Sequence, residues 1–166
     1  MKKLLLACLC AVATICSAQA QNSSNIPVEF QGYAHVGTIF DAYGGGPTLD
    51  VDAGARIFNY FYVGLATGFH TYFAPSRIGT LWVGYVPIDV NLKGYFTKGK
   101  KFCPYVNCSL GGFIAVSGRG GGFHCQAGAG LEYERFSFGI GYNGFILNGT
   151  RADSGYIKLG IRFGKK

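Results

Sequence analysis

Apolar and polar residues alternate with a period of two along most of the chain, and the pattern is clearest in residues 86–116. Ile88, Val90 and Leu92 share one face in the first half of this stretch, and Asp89 lies on the other. Period-two alternation is typical of a strand whose faces meet two different environments. Each half is about ten residues or longer, a length that suits a tilted strand crossing a bilayer. The stretch therefore predicts a hairpin of two membrane-spanning strands.

The same alternation predicts further strands through the rest of the chain. We place eight strands at residues 27–40, 49–58, 61–73, 80–96, 103–116, 123–133, 136–145 and 155–163. Long loops are expected after the odd strands and mostly shorter turns after the even ones, a contrast typical of membrane-spanning barrels. An even strand number lets the first strand pair with the last, which removes both sheet edges. The predicted fold class is all-β, an eight-stranded antiparallel up-and-down transmembrane β-barrel.

The two faces of the predicted strands differ in composition, and this difference assigns them to lipid and lumen. One face carries aliphatic and aromatic side chains, which are too many for the narrow lumen of an eight-stranded barrel. The other face mixes polar residues with glycines. We therefore expect the apolar face to meet lipid and the polar face to fill the lumen. Aromatic residues near the strand ends, among them Phe30, Trp82 and Phe145, predict two aromatic girdles.

Residues 1–20 predict a cleaved secretory signal peptide. Lys2 and Lys3 form a basic start, an apolar run too short to span a membrane follows, and a small-x-small site ends at Ala20. The remaining residues, 21–166, form one predicted barrel domain. They contain no apolar run of about 18 residues or more, so no transmembrane helix is expected.

Composition agrees with a barrel that has a lipid-facing exterior. Charged residues make up 14% of the 166 residues, aromatic residues 16%, and 27 residues are glycine. A secreted soluble domain normally carries more surface charge. The net charge is +7, but the basic residues lie in turns and near the C-terminus rather than along one helix face. The excess therefore does not predict a nucleic-acid partner.

Three cysteines lie outside the signal peptide, namely Cys103, Cys108 and Cys125. With the predicted loop between strands five and six, Cys108 lies opposite a residue near Leu131. Cys125 is then too far from Cys108 for a disulfide, and we expect free thiols. No cysteine pair has the spacing of a zinc site, so neither a metal nor another cofactor is expected.

The lumen face carries charged residues that predict a buried network of ion pairs. Its expected members are Glu29, Arg56, Lys93, Glu132 and Arg162. All five are placed near the end of the barrel that holds the short turns. Because strands one, two and eight are neighbours in a closed barrel, we expect Glu29 to lie between Arg56 and Arg162. Buried charges require such pairing, so the network is expected to plug the lumen. A narrow pore for ions or protons is the alternative.

Residues 86–96, VPIDVNLKGYF, are followed by a basic turn, by Pro104-Tyr105-Val106 and by a glycine-rich strand. This order resembles the outer-membrane protein β-barrel domain family of Gram-negative bacteria, whose members are small eight-stranded porin-like barrels. The final strand, residues 156–163, is similar to the terminal signal read by the barrel-assembly machinery. The resemblance implies an outer-membrane location, with that machinery, membrane lipids and lipopolysaccharide as partners. It implies no defined biochemical activity, and we expect a monomer.

Some eight-stranded outer-membrane barrels are lipid A deacylases or acyltransferases with a His and a Ser near the outer rim. The histidines here, His35, His70 and His124, are predicted to point inward in the half of the barrel away from the short turns. An arrangement of Ser117, His124 and Asp41 is conceivable. However, no Ser follows a His in the deacylase-like H-x-S pattern. We therefore expect histidines that fill the lumen, no catalytic residues and no enzyme, with the lipid A-modifying barrel as the alternative.

The loops offer a third class of function, which is contact with a surface, partner or ligand. Tyr43, Arg77, Arg119 and Arg151 are the exposed candidates, and arginines near an outer rim can pair with lipopolysaccharide phosphates. The sequence thus predicts an integral outer-membrane barrel with a side-chain-filled lumen and a structural or surface-interaction role.

Overall fold

The computed structural model describes residues 28–76, 79–97, 101–116, 120–147 and 149–164. Its strands are β1 (Val28–Phe40), β2 (Gly45–Ile57), β3 (Phe61–Ser76), β4 (Gly79–Tyr95), β5 (Phe102–Ala115), β6 (Gly121–Tyr133), β7 (Phe136–Leu147) and β8 (Thr150–Gly164). Each strand pairs antiparallel with the next, and β1 pairs with β8, which closes the barrel. The predicted fold class is confirmed. The predicted signal peptide lies outside the described residues.

No helix in the described part of the chain has both the length and the hydropathy needed to cross a membrane.

The connections 58–60, 96–101 and 134–135 lie at one end of the barrel, which we call the turn end, and we call the opposite end the loop end. Phe58 and Asn59 have φ values of 54° and 63°. Two successive left-handed residues make a type I′ turn, whose twist matches that of the flanking strands. Val28 and Gly164, the first and last residues of the barrel, also lie at the turn end.

The prediction of long loops after the odd strands is wrong, because the strands continue into these segments. β2 begins at Gly45, β3 runs to Ser76 and β8 begins at Thr150, so the connection after β1 is only residues 41–44. Thr38 pairs with Pro47 in the extended β1–β2 ladder. Alternation marks a strand only where its two faces meet different surroundings, whereas ladder hydrogen bonds continue without it.

The exterior is apolar, as the composition of the faces predicts. Phe30 is 80% exposed, Leu65 69% and Leu159 58%. Exposed aromatic residues form a girdle at each end: Phe30, Phe58, Tyr60, Phe61, Phe96, Phe102, Tyr133, Phe136 and Phe163 at the turn end, and Phe40, Tyr43, Phe73, Trp82 and Phe123 at the loop end. A contiguous apolar band between two aromatic girdles is the lipid-facing surface of a membrane barrel.

Phe145 does not belong to the loop-end girdle, and its predicted position is wrong. Its ring lies inside the barrel, 5.3 Å from the Tyr85 ring and 5.6 Å from the Phe113 ring. The reason is the period of two along β7. Asn143 faces the lumen and is fully buried, so Phe145 faces the lumen as well.

Two aromatic layers cross the lumen. The turn-end layer consists of Tyr33, Tyr62, Tyr95, Cys103 and Tyr105. The loop-end layer consists of Ile39, Tyr85, Phe113 and Tyr156, with Tyr72, Val83, Ala115 and Phe145 packed against it. Glycine makes room for the large rings, because a Cβ on Gly130 would lie 2.5 Å from the Tyr105 ring. Polar residues fill the lumen between the layers.

The cysteines are free, but the predicted register between β5 and β6 is wrong. Cys108 lies opposite Ala127 rather than near Leu131, and Cys125 lies opposite Leu110. The difference arises because β6 begins at Gly121, so the connection from β5 is shorter than expected. Cys103, Cys108 and Cys125 are all free thiols.

Candidate functional site

Glu132 is the centre of a charged group at the turn end, which we call the turn-end cluster. Its Oε2 atom lies 3.2 Å from Nη1 of Arg162 and 3.9 Å from Nη1 of Arg56. Tyr33 and Tyr95 each donate a hydrogen bond of 2.9 Å to Oε1. Glu132 is 3% exposed, so the cluster supplies both cationic partners and hydrogen bonds to a buried carboxylate.

The two arginines of this cluster are held at the turns as well as by Glu132. Arg56 donates from Nη2 to the Asn59 carbonyl at 3.0 Å, and Arg162 donates from Nη2 to the Glu134 carbonyl at 2.8 Å. The Arg56 guanidinium also lies 3.9 Å from the centre of the Tyr95 ring, in cation–π contact. The turns and the cluster therefore fix each other.

We expected Glu29 to lie between Arg56 and Arg162, and the structure shows that it does not. It pairs with Arg56 across β1 and β2, but Arg162 lies opposite Tyr33, further along β1. This offset comes from the stagger that closes a barrel, which an alternating sequence does not reveal. Glu29 accepts a hydrogen bond of 3.3 Å from Gln31, and no ion pair within the described residues involves it. Glu132 on β6 occupies the expected position between the arginines.

Lys93, the fifth residue of the predicted network, lies outside the turn-end cluster. Its Nζ atom is 3.6 Å from Oδ2 of Asp52 and 3.4 Å from the centre of the Tyr33 ring. Tyr62 donates a hydrogen bond to Asp52, and Asn91 donates another of 3.2 Å. Asp52 is therefore a member of the charged interior that the sequence analysis missed, although its inward face was recognisable from the alternation of β2.

Nearer the loop end, six side chains form a closed ring of hydrogen bonds and ion contacts, which we call the loop-end ring. Its members, in order, are Asp50, His70, Tyr85, Asn143, Gln126 and Lys158. The contacts measure 2.6 Å for Asp50–His70, 3.2 Å for His70–Tyr85, 3.4 Å for Tyr85–Asn143, 2.8 Å for Asn143–Gln126, 2.8 Å for Gln126–Lys158 and 2.7 Å for Lys158–Asp50. These residues come from β2, β3, β4, β7, β6 and β8. The ring thus joins six of the eight strands.

Lys158 sets the direction of donation around this ring. An ammonium group only donates, so the atom of Gln126 that faces it is Oε1, and Gln126 Nε2 then donates to Asn143 Oδ1. Asn143 Nδ2 donates to Tyr85, which leaves the Tyr85 hydroxyl to donate to His70 Nδ1. His70 Nε2 donates to Asp50. Each donor in the ring therefore meets an acceptor.

His124 joins the ring from the side. Its Nε2 atom lies 2.9 Å from Asn143 Oδ1, and its Nδ1 atom lies 2.7 Å from Asp89 Oδ2. Because Asn143 Oδ1 already accepts from Gln126, it presents an acceptor to His124 as well. Both ring nitrogens of His124 thus face oxygen atoms, one of Asn143 and one of Asp89.

The histidines point into the lumen, as predicted. His70 and His124 are both 0% exposed, and His35 is 8% exposed. The predicted combination of Ser117, His124 and Asp41 is not assembled by the described residues. Ser117 lies outside them, and Asp41 in the loop accepts hydrogen bonds from Tyr72 and from two loop amides. Among these residues no serine, threonine or cysteine side chain bonds to a histidine ring.

The described residues also contain no group of three or more His, Cys, Asp or Glu side chains arranged to hold a metal ion.

The loop-end surface carries a small polar group on the outside of the barrel. Arg151 donates a hydrogen bond of 2.7 Å to Asp153 and one of 3.2 Å to Tyr142, and Tyr142 donates to Asp153. Tyr43 is 78% exposed. Of the other surface candidates, Arg77 and Arg119 lie outside the described residues.

Asp41 is the acidic residue of the loop between β1 and β2. Partial burial raises the pKa of its carboxyl. The hydrogen bonds from the Tyr72 hydroxyl and from the Tyr43 and Gly44 amides lower it by more, so the pKa of Asp41 lies below its ordinary value. The loop is therefore tied to β3 by an ionised carboxylate.

Comparisons with known proteins concern the fold. No family model and no curated protein matches the chain. Among solved structures, Neisserial surface protein A is similar with a TM-score of 0.61 and 16% identity over 86% of this chain and 100% of that one. The outer-membrane enzyme PagL is similar with a TM-score of 0.59 and 14% identity over 79% of this chain and 98% of that one.

The N-terminal β-barrel domain of Pseudomonas aeruginosa OprF is also similar, with a TM-score of 0.53 and 16% identity over 84% of this chain and 100% of that one. At these identities the likeness shows the fold alone. The expectation drawn from residues 86–96 and 156–163 is confirmed at that level. The chain has the fold of the small eight-stranded outer-membrane barrels, and its apolar exterior is the surface that such a barrel turns to lipid.

Proposed function

We propose that this chain is an integral outer-membrane protein with a structural or surface-interaction role, which neither conducts ions through its lumen nor catalyses a reaction. The observation that carries the proposal is the filling of the lumen. Two aromatic layers cross it, and the charged residues between them are paired with one another. An eight-stranded barrel has a lumen just wide enough for its own side chains.

Ion pairs hold the charged side chains that fill the lumen in place. The Glu132 carboxylate contacts Arg56 and Arg162, and the Asp50 carboxylate contacts both Lys158 and His70. Opening a path would separate buried charges from their partners, which costs several kcal/mol for each ion left without a partner. This cost favours a plugged lumen over the narrow pore.

Conductance across planar bilayers tests the plug. We expect the purified full-length barrel to give no steady conductance steps. A control with openings in both aromatic layers, Tyr33→Ala combined with Tyr85→Ala, is expected to give steps if it folds, which would show that the assay detects a lumen of this size. Reproducible steps from the wild-type barrel would overturn the plug.

The absence of enzymatic activity is proposed from the burial of the histidines. His70 and His124 are 0% exposed, and each donates to a buried carboxylate. A general base needs access to the proton it removes, and these rings lie behind the loop-end layer. The likeness to PagL concerns the fold and carries no activity to this chain.

An assay for acyl-chain release from lipopolysaccharide tests this part of the proposal. Wild-type protein and the variant His124→Ala are expected to give the same background signal. Release that depends on the wild-type protein and disappears in His124→Ala would support the lipid A-modifying alternative instead.

The proposed partners follow from the exterior. Outer-membrane lipids and lipopolysaccharide would surround the apolar band, and the barrel-assembly machinery would act on β8, where Phe163 is 56% exposed. We propose a monomer, with Tyr43 and Arg151 at the loop end as the surface for contact. Light scattering in detergent tests the monomer. Capture of lipopolysaccharide by the wild type and by Arg151→Ala tests the contact, and equal capture would argue against a role for Arg151.

A further inference from the structure

The rim of the barrel at the loop end is uneven, because the β1–β2 hairpin is shorter than the strands on either side of it. β1 ends at Phe40, which pairs with Gly155, so residues 150–154 of β8 extend beyond β1. On the other side β3 continues to Ser76, whereas its ladder with β2 ends at Gly45. The short hairpin therefore leaves a notch in the rim, with a strand edge on each side.

The hydrogen bonds of β8 show which of its residues face the notch. In an antiparallel sheet, the N–H and C=O of one residue point to one neighbouring strand, and those of the next residue point to the other. The Arg162 amide donates to the Arg135 carbonyl at 2.7 Å, so even-numbered residues of β8 bond towards β7. The β7–β8 register continues without a break to the loop end. The N–H and C=O groups of Arg151 and Asp153 therefore point into the notch.

These backbone groups have no hydrogen-bond partner within the described residues. The nearby loop, residues 41–44, bonds to itself instead. The Asp41 amide donates to the Gly44 carbonyl at 2.9 Å, and the Asp41 carboxylate accepts from the Tyr43 and Gly44 amides. A strand edge with free donors and acceptors is a template on which another extended chain can pair.

The β3 edge across the notch is closed to such pairing by a proline. The Tyr60 carbonyl, directly before β3, accepts from the Tyr95 amide at 2.7 Å, so even-numbered residues of β3 bond towards β4. Pro75 is then the residue beyond Phe73 whose backbone points into the notch. Proline has no N–H to donate, and it protects exposed strand edges from pairing. The β8 edge carries no such residue.

The side chains on the β8 edge indicate the charges that a partner would carry. Arg151 and Asp153 are 66% and 48% exposed, and Nε of Arg151 donates to Oδ1 of Asp153 at 2.7 Å. Nη2 of Arg151 donates to Tyr142. Among the described residues, Nη1 of Arg151 and Oδ2 of Asp153 have no partner. Opposite charges directly across a ladder attract, so an acidic residue fits opposite Arg151 and a basic residue fits opposite Asp153.

We propose that this edge of β8, residues 150–154, binds an extended segment of a partner protein, which adds a strand antiparallel to β8. The partner's backbone donates to the carbonyls of Arg151 and Asp153 and accepts from their amides. A polypeptide backbone supplies donors and acceptors at the spacing of a strand, whereas lipopolysaccharide does not. The inference deepens the surface-interaction role proposed above and rests on it, because it names a polypeptide as the partner.

Amide hydrogen exchange, measured by NMR on the full chain in lipid nanodiscs, tests the proposal. Without peptide, the amides of Arg151 and Asp153 are expected to exchange rapidly, and those of Ala152 and Ser154, which bond to β7, slowly. The probe is a synthetic hexapeptide with blocked ends, Thr-Lys-Val-Glu-Val-Thr, which places Lys opposite Asp153 and Glu opposite Arg151. At a bound fraction of about nine tenths, exchange at Arg151 and Asp153 is expected to slow about tenfold, because only the unbound barrel exchanges.

The same peptide with N-methyl groups on its Lys and Glu is the matched control. It keeps the side chains but cannot donate to the β8 carbonyls, so it is expected to leave the exchange unchanged. Equal slowing by the two peptides would overturn the proposal, because recognition would then not involve the backbone.

Slow exchange at Arg151 and Asp153 without peptide would also overturn the proposal, since the edge would already be paired. So would the absence of slowing with the unmodified peptide, or slowing by lipopolysaccharide in its place. Conductance and acyl release are measured separately, so a failure of the proposed function is distinguishable from a failure of this inference.

Discussion

Asp50 Oδ2 and Lys158 Nζ lie 2.7 Å apart across the seam at which the barrel closes. Asp50 belongs to β2 and Lys158 to β8, with β1 between them. His35 of β1 lies opposite Asp50 on one side and Gly160 on the other. The ion pair therefore connects the first hairpin to the last strand, in addition to the backbone ladder between β1 and β8.

Breaking this pair is expected to destabilise the barrel. Lys158→Met leaves Asp50 as a buried carboxylate without its cation, which costs about 3–5 kcal/mol of the free energy of unfolding. Urea unfolding in lipid vesicles measures the change. Arg151→Met is the matched control, because it breaks an exposed pair with Asp153 and is expected to have little effect. The double variant Asp50→Leu with Lys158→Met is expected to recover part of the loss.

The turn-end cluster gives a second prediction. Glu132→Gln removes the anion that Arg56 and Arg162 share, and we expect a loss of about 3–5 kcal/mol in the free energy of unfolding. Glu29→Gln makes the same chemical change at a half-buried residue outside the cluster, and a change within about 0.5 kcal/mol is expected. Equal losses in the two variants would mean that Glu29 contributes as much as Glu132.

The donor order of the loop-end ring predicts which nitrogen of His70 carries hydrogen. Nε2 donates to Asp50, whereas Nδ1 accepts from the Tyr85 hydroxyl. ¹⁵N NMR of histidine-labelled protein distinguishes a nitrogen that carries hydrogen from one that does not. Hydrogen on Nδ1 of His70 would contradict the order that Lys158 imposes.

The loop between β1 and β2 gives a prediction of pH dependence. Asp41 has a pKa below its ordinary value of 3.8, so its contribution to stability is present above that pH and is lost as the pH falls through the lowered value. NMR titration of the Asp41 carboxyl measures the pKa. Tyr72→Phe removes one hydrogen bond to this carboxylate and is expected to raise the pKa of Asp41 towards 3.8.

The alternation of residues predicted the strands and their faces because lipid and lumen impose opposite polarity on neighbouring positions. It failed at the loop end, where β2 begins at Gly45 and β8 at Thr150, since no such contrast exists beyond the lipid. The position of each residue along its predicted strand correctly placed Arg56, Glu132 and Arg162 at the same end of the barrel.

Position along a strand did not show which of these residues are neighbours around the barrel. The stagger between β1 and β8 decides that Glu132, and not Glu29, contacts both arginines. Asp50 and Asp89 were recognisable as inward residues from alternation. Their histidine partners lie 20 and 35 positions away in sequence and are brought near by pairing that alternation does not specify.

Since a lysine ammonium offers no lone pair, Lys158 makes the loop-end ring one-directional. Reversal of any single amide would place two donors or two acceptors face to face, so no member of the ring can turn alone. A substitution at one member of the ring is therefore expected to disturb the hydrogen bonds of members on other strands. Six of the eight strands share this dependence, because each contributes one member.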